Sequence, residues 1–316
     1  MSKKIKPLDL GQVKTYSLAQ RSSKVNTVDF AKIWQKDGTF KDFVNGLPDI
    51  LAAADLKTVI RALATAARTD KTIIVGMGAH VIKVGLNPVV IDLMERGIIH
   101  CVALNGAGII HDLELAMTGT TSEDVASAID DGTFGMAEDT AVFLGNALEN
   151  SQPDSSGLGQ AVGRAIARQN LPFAENSILA AGFRLGIPVT VHVAIGTDII
   201  HMHPQFDPAR SGKASHHDFR LFAAMVARLQ EGVYLNAGSA VVLPEVFLKA
   251  VSLARNLGYT LDEFTAVNLD FIQHYRPVTN VVKRPTAKGG MGINLIGHHE
   301  IMLPLIAAGV IEQLDG

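Results

Sequence analysis

Six apolar runs rich in valine and isoleucine recur along the chain, and long helical patterns separate them. The runs are TIIVGMG (72–78), HCVALNG (100–106), IPVTVHVAI (187–195), GVYLNAG (232–238), EFTAVNLD (263–270) and GINLIG (292–297). None alternates clearly between apolar and polar, the pattern of strands buried on both faces. Between them lie NPVVIDLMERG (87–97), GLGQAVGRAIARQN (157–170), ENSILAAGFRLG (175–186), HDFRLFAAMVARLQEG (217–232) and LPEVFLKAVSLARNLG (243–258). Several of these stop at glycine, a common helix terminator. Repeated strand–helix–strand units predict an α/β domain, a doubly wound and mostly parallel sheet with helices on both faces. Residues 1–55 are more polar and lack this rhythm, so they read as an N-terminal helical extension to a domain over 56–316. The segment NSQPDSSG (150–157) is the best internal linker, but the strand–helix pattern resumes on both sides of it.

A chain of 316 residues with 47% hydrophobic and 19% charged side chains can bury a large core. Its net charge of −3 argues against nucleic acid or an anionic membrane surface as the main partner. The low charge density predicts surface buried between subunits, hence a homo-oligomer. No apolar run reaches the roughly 18 residues that a membrane span requires. Cys101, the single cysteine, lies in an apolar run and reads as a small core residue in a protein of the cytoplasm. The opening MSKKIKPLDL has charge but no apolar stretch behind it, unlike a signal peptide.

In an open α/β sheet, ligands bind beyond the carboxyl ends of the strands. Those ends read GMGAHVIKVG, NGAGIIHD, AIGTDIIHMHP, LNAGSA, VNLDFIQHYRP and NLIGHHE. Small residues there let a ligand approach the backbone, and amides at a helix start can hold phosphate. Gly76 and Gly78 form the start of a dinucleotide fingerprint, but Val81 stands where its third glycine belongs. The pair fits either a nucleotide turn or tight strand–helix packing.

Histidines cluster at 201 and 203, 216 and 217, and 298 and 299. Asp198 with His201 and His203 supplies enough donors for a metal, though the same histidines also suit polar or interface positions. Lys83, Lys283 and Lys288 are the lysines near strand ends. A desolvated lysine can attack a carbonyl or imine carbon; a solvated one is a loop residue or a phosphate contact. The chain has no GxSxG, HExxH, GxxxxGK or CxxC pattern, so hydrolase, zinc-protease and nucleoside-triphosphatase motifs are absent.

The stretch VGMGAHVIKVGLNPVVIDLMERGIIHCVALNGAGIIHDL resembles the segment of deoxyhypusine synthases near their NAD site. ENSILAAGFRLGIPVTVHVAIGTDIIHMHP and NLIGHHEIMLPLIAAGVIEQL resemble later segments of that family, in the same order, so the likeness spans roughly residues 60 to 310. The resemblance implies a Rossmann-like fold, a tetramer and NAD as cofactor. It implies a transferase that oxidises a polyamine, carries the aminobutyl group as an imine on a lysine, and passes it to a protein lysine or a small amine.

Residue by residue, the resemblance places His80 and Lys83 in an NAD-contacting turn. It places Asn105, Gly106, Ala107 and Gly108 in the small-residue turn at the cofactor, and His111 where an acid holds a ribose. Asp198 falls near the substrate amine, Asn236 and Gly238 near a glycine run packed on the cofactor, and Asn268 near the adenosine end. Lys283 falls closest to the catalytic lysine, with Lys288 second. The chain departs from the family where AVVLPEV and DFIQHYRPVTN stand, and it lacks the tryptophan-glycine-lysine signature; Trp34 is its only tryptophan.

The leading expectation is therefore NAD-dependent imine chemistry on an amine, with Lys283 as nucleophile, His111 or His80 moving protons and Asp198 anchoring the cation. A metal-dependent hydrolase built on the histidines and Asp198 is one alternative. A non-catalytic nucleotide-binding oligomer is another.

Overall fold

The computed structural model describes residues 4–151 and 156–314. Six strands form one parallel sheet: β1 (Ile73–Met77), β2 (Cys101–Asn105), β3 (Val189–His192), β4 (Val233–Ala237), β5 (Thr265–Asp270) and β6 (Met291–Ile296). Their order is β3-β2-β1-β4-β5-β6. This is the doubly wound, Rossmann-like α/β arrangement, and its strand order reverses between β1 and β4. All six apolar runs of the sequence become strands.

The helices are α1 (Phe40–Gly46), α2 (Leu51–Arg68), α3 (Ala79–Lys83), α4 (Asn87–Glu95), α5 (Gly106–Thr118), α6 (Val125–Ala128), α7 (Glu138–Glu149), α8 (Leu158–Gln169), α9 (Ile178–Leu185), α10 (Pro208–Val226), α11 (Val242–Asn256), α12 (Tyr275–Pro277) and α13 (His299–Leu314). The boundary drawn at residue 55 falls inside α2. α10 begins nine residues before its sequence pattern, because Asp207 caps it through the Arg210 amide and Pro208 sits at its first turn. The segment PARSGKASH hid that start, since its small and polar residues carry little apolar rhythm. Four residues of the proposed linker, 152–155, lie outside the described residues.

Alternate residues of each strand face opposite layers. Ile73, Val75, Met77, Val102, Leu104, Val233 and Leu235 join the core under α2, α4, α5 and α13. Ile74, Cys101, Ala103, Tyr234 and Ala266 join a second core with α10 and α11. There Tyr234 stacks on Phe247 with ring centroids 3.7 Å apart. Burial on both faces explains why the strands read as continuous apolar runs. Cys101 is wholly buried, and that burial raises its thiol pKa, as its small-core role requires.

Before α1 the described residues form only three short 3-10 turns, and no described residue up to Phe43 is buried. Lys57 ties this segment to α2: its ammonium donates to the carbonyls of Leu47 and Asn45 and to Asp49 Oδ1. No described helix is long and apolar enough to cross a membrane.

Candidate functional site at the carboxyl edge

Two structures occupy the carboxyl edge, one on each side of β1. At the switch point itself, Gly78 follows β1 and Gly238 follows β4. They touch so closely that a Cβ on Gly78 would sit 2.2 Å from the Gly238 carbonyl oxygen. Gly238 has φ +69°, a left-handed backbone, and a Cβ on it would lie 2.8 Å from His299 Nε2. No side chain caps α3, which opens directly from Gly78. His80, Phe271, His298 and His299 gather around this crevice. His80 lies 5.8 Å from His299 and 6.0 Å from Phe271, and Phe271 stacks on His298 at 5.5 Å. His299 is buried, and its Nδ1 has no hydrogen-bond partner. Burial holds its pKa below the ordinary imidazole value, opposed by the Asp270 carboxylate.

A bare-backbone crevice, uncapped amides and aromatic faces fit a dinucleotide: phosphates against the turn, planar rings against the aromatics. Gly78, Gly238, His80 and Phe271 are the residues that would hold NAD.

On the other side of β1, at the end of β2, lies a cavity of about 500 Å³. Lys83 from α3, Ala107, His111 and Glu114 from α5, Glu123 from the crossing segment before α7, and Asp198 line it. The structure brings Asp198, His111, Lys83 and Ala107 to the wall of one cavity. Asp198 is held above Gly106, where a Cβ would fall 1.9 Å from its Oδ2. Burial raises the Asp198 pKa, with His201 opposing. His201 Nδ1 accepts from the amides of Gly196 (3.0 Å) and Asp198 (3.3 Å), which directs its Nε2 toward Asp198 Oδ2, 4.0 Å away. Both of those atoms are buried without a partner.

Several expected cofactor residues have other work. Asn105 caps α5 with its own side chain, accepting from the Gly108 amide at 3.0 Å. That turn is therefore closed, while the turn after β1 is open. Gly76 makes room for Tyr234, whose hydroxyl would lie 2.4 Å from a Cβ there. Asn236 and Asn268 are fully buried in register with Asn294. Asn236 Nδ2 donates to Asn268 Oδ1 and to the Ser239 carbonyl, so this amide row braces the Gly238 turn from beneath.

Lys283 does not join the cavity. It is exposed at the end of a π-helical segment, Val278–Lys283. The neighbouring Val282 carbonyl sits 2.4 Å from where Gly292, near the start of β6, would carry a Cβ. β6 is four strand spacings from β2, about 19 Å, and Lys283 lies toward the amino end of the sheet. Lys288 is exposed in the turn that follows. The lysine at the cavity wall is Lys83.

The metal alternative fares no better. His203 Nε2 bonds the Gly135 carbonyl at 2.8 Å instead of converging with His201. Among the described residues no group of three His, Cys, Asp or Glu side chains is arranged to hold a metal ion.

Sequence reasoning missed Glu114, Glu123 and Phe271. Glu114 was legible as the acid one helical turn after His111, on the same face.

The sheet and its strand-order reversal define a Rossmann-like α/β protein. No family model and no curated protein matches the chain. Among solved structures, a candidate LOR/SDH protein from Methanococcus maripaludis S2 is similar with TM-score 0.53 and 16% identity, over 84% of this chain and 71% of that one. The ternary complex of AgrE with ornithine and NAD+ gives TM-score 0.54 at 13% identity, over 82% of this chain. This chain spans only 32% of that enzyme's length. A candidate deoxyhypusine synthase from Entamoeba histolytica gives TM-score 0.53 at 10% identity, over 89% of this chain and 96% of that one. The fold relationship to deoxyhypusine synthase-like and NAD-using enzymes stands; at these identities the likeness is one of fold alone.

Proposed function

We propose that the protein is an NAD-dependent enzyme acting on an amine, a transferase of the deoxyhypusine-synthase type in its chemistry. The observation that carries this is the cavity at the β2 end, where Asp198, Glu114 and Glu123 face one lysine beside the nucleotide-type crevice. Three carboxylates against one ammonium favour a cationic guest.

Bound NAD would accept a hydride from the carbon bearing the amine. The chain's own residues prepare that event. Asp198 anchors the ammonium end of the substrate. His111 removes an N–H proton, leaving the neutral amine whose lone pair can form a C=N bond as hydride leaves. Lys83, after its ammonium releases a proton to solvent, is placed to attack the resulting iminium carbon, releasing the original amine and carrying the alkyl group as its own imine. An acceptor amine then displaces Lys83. Glu123, Val125 and Phe134 of the segment between α5 and α7 line the cavity, and their bulk would limit the water that hydrolyses an imine.

The exposed apolar side chains of the N-terminal segment support a homo-oligomer, with the tetramer implied by the family resemblance.

The test is a binding and turnover screen on the purified protein. NAD should raise its melting temperature, and absorbance of reduced nicotinamide should appear with at least one di- or polyamine. Nucleotide binding without turnover on a broad amine panel would instead make this a non-catalytic nucleotide-binding protein.

A further inference from the structure

His111 is held from the outside by a side chain of the crossing segment. Its Nδ1 lies 2.6 Å from Thr121 Oγ1. The Thr121 hydroxyl in turn donates to Glu114 Oε2 at 2.5 Å. Glu114 is itself fixed, because its Oε1 accepts from Thr140 Oγ1 of α7 at 3.2 Å. A hydroxyl has one proton to give. If Thr121 gave it to the imidazole, its oxygen would face an ionised carboxylate at 2.5 Å with no hydrogen between them. The proton therefore goes to Glu114, and Thr121 accepts from His111. Nδ1 carries the hydrogen, and in the neutral ring Nε2 carries the lone pair.

The two nitrogens of an imidazole point apart, so Nε2 faces away from the Thr121–Glu114 pair. Nε2 has no hydrogen-bond partner among the described residues, and the ring lines the cavity. The charged groups around it are Lys83 on α3, Glu114 on its own helix, Glu123 on the crossing segment and Asp198 before α10. Burial and the Lys83 ammonium hold the His111 pKa below its ordinary value, with Glu114 opposing.

We propose that Thr121 and Glu114 are positioning residues that lock His111 as the Nδ1–H tautomer and so aim its Nε2 lone pair into the cavity as the general base. The base takes one proton from the substrate ammonium and becomes an imidazolium; Glu114 then balances the new charge through Thr121. Because Thr121 belongs to the crossing segment, the base is complete only with that segment seated. The identity of the proton donor rests on the proposed amine chemistry. The tautomer does not.

Two-bond 1H–15N correlation spectra of the whole protein test the tautomer directly, with His111→Gln identifying the His111 signals. Wild type and Thr121→Ser should show Nδ1 protonated and Nε2 bare. Thr121→Val should lose that fixed pattern, and its kcat should fall on the order of a hundredfold while NAD affinity stays unchanged. Glu114→Gln should move the His111 titration to lower pH, because it removes the negative charge that favours the imidazolium. An Nε2–H wild-type ring, or a Thr121→Val protein with unaltered tautomer and rate, would overturn the positioning role. The Nδ1–H pattern without turnover on any amine would leave the tautomer standing and remove the amine reaction.

Discussion

The Asp198 carboxylate rests on the bare backbone of Gly106: a Cβ at that glycine would stand 1.9 Å from Asp198 Oδ2. The contact puts an anion at the start of α5, where the helix dipole favours it. Gly106→Ala must push the carboxylate or its loop aside. Overpacking of this kind costs about 1–3 kcal/mol. The variant should melt at lower temperature and bind the amine roughly tenfold more weakly, while NAD affinity holds. Calorimetric titration of both ligands checks this; unchanged amine affinity would remove Asp198 from the role of anchor.

Asp112 provides the clearest pH signature. It is fully buried in α5, yet it serves the start of α9. Its carboxylate accepts from Ser177 Oγ and from the amides of Ile178 and Leu179, and Asn87 Nδ2 donates to it from α4. Burial raises its pKa to about 6 despite those bonds. The native state thus holds this proton more tightly than the unfolded chain, whose value is near 4. The contribution of Asp112 to stability is fully present below pH 4 and is lost as pH rises through 6. Asp112→Asn keeps one acceptor oxygen where four donors converge, so it should cost about 1–3 kcal/mol. It should also flatten the slope of stability between pH 4 and 6. Urea unfolding of both proteins across that range measures the difference; an equal slope would place the titration elsewhere.

The sheet was readable because its strands are buried on both faces, which writes each one as an unbroken apolar run. The strand ends were readable as a class, because a close turn needs glycine. Their division of labour was not. Gly76 and Gly78 look alike in sequence, but one faces the Tyr234 ring and the other the Gly238 turn. Asn105 looked like a ligand contact and proves to be a cap. The partners of Asp112 at the start of α9 lie 65 residues and more along the chain, a distance local pattern does not encode. Lys283 was placed by its nearness to a strand and by family resemblance, and neither carries information about which edge of the sheet a loop visits.

The crevice at the switch point predicts a nucleotide contact that sequence did not single out. Phe271 is partly exposed there and stacks on His298. An aromatic face against a planar ring contributes about 0.5–1.5 kcal/mol beyond area burial. Phe271→Ala should weaken NAD binding about threefold to tenfold, and Phe271→Tyr should restore it. Equilibrium titration followed by intrinsic or nicotinamide fluorescence gives the constant; full affinity in the alanine variant would move the planar ring away from Phe271.

The N-terminal segment makes a prediction about assembly. Ile5, Leu8, Leu10 and Ile33 are each at least 75% exposed, and no core of their own chain receives them. We propose that a second copy of the chain covers them. Light scattering should give a mass that is a multiple of the single chain. Removal of residues 1–38 should lower that multiple while leaving the circular dichroism of the sheet domain intact. A monomeric full-length protein would contradict both the interface and the tetramer.

The last prediction separates two lysines. Lys83 stands at the cavity wall with Asp198 and His111, and its ammonium acts on the His111 titration. Lys283 is exposed toward the opposite edge of the sheet, about 19 Å away across four strand spacings. A covalent carrier must reach the iminium carbon within bonding distance, so only the first satisfies the geometry within one chain. Protein incubated with NAD and an amine donor, then treated with borohydride, should retain a stable adduct on Lys83. Lys83→Ala should lose the adduct and the transfer reaction, while amine-dependent reduction of NAD persists because hydride removal does not need the lysine. Lys283→Ala should keep both. An adduct found on Lys283 by peptide mass spectrometry would instead require that lysine to reach a cavity in a neighbouring copy of the chain.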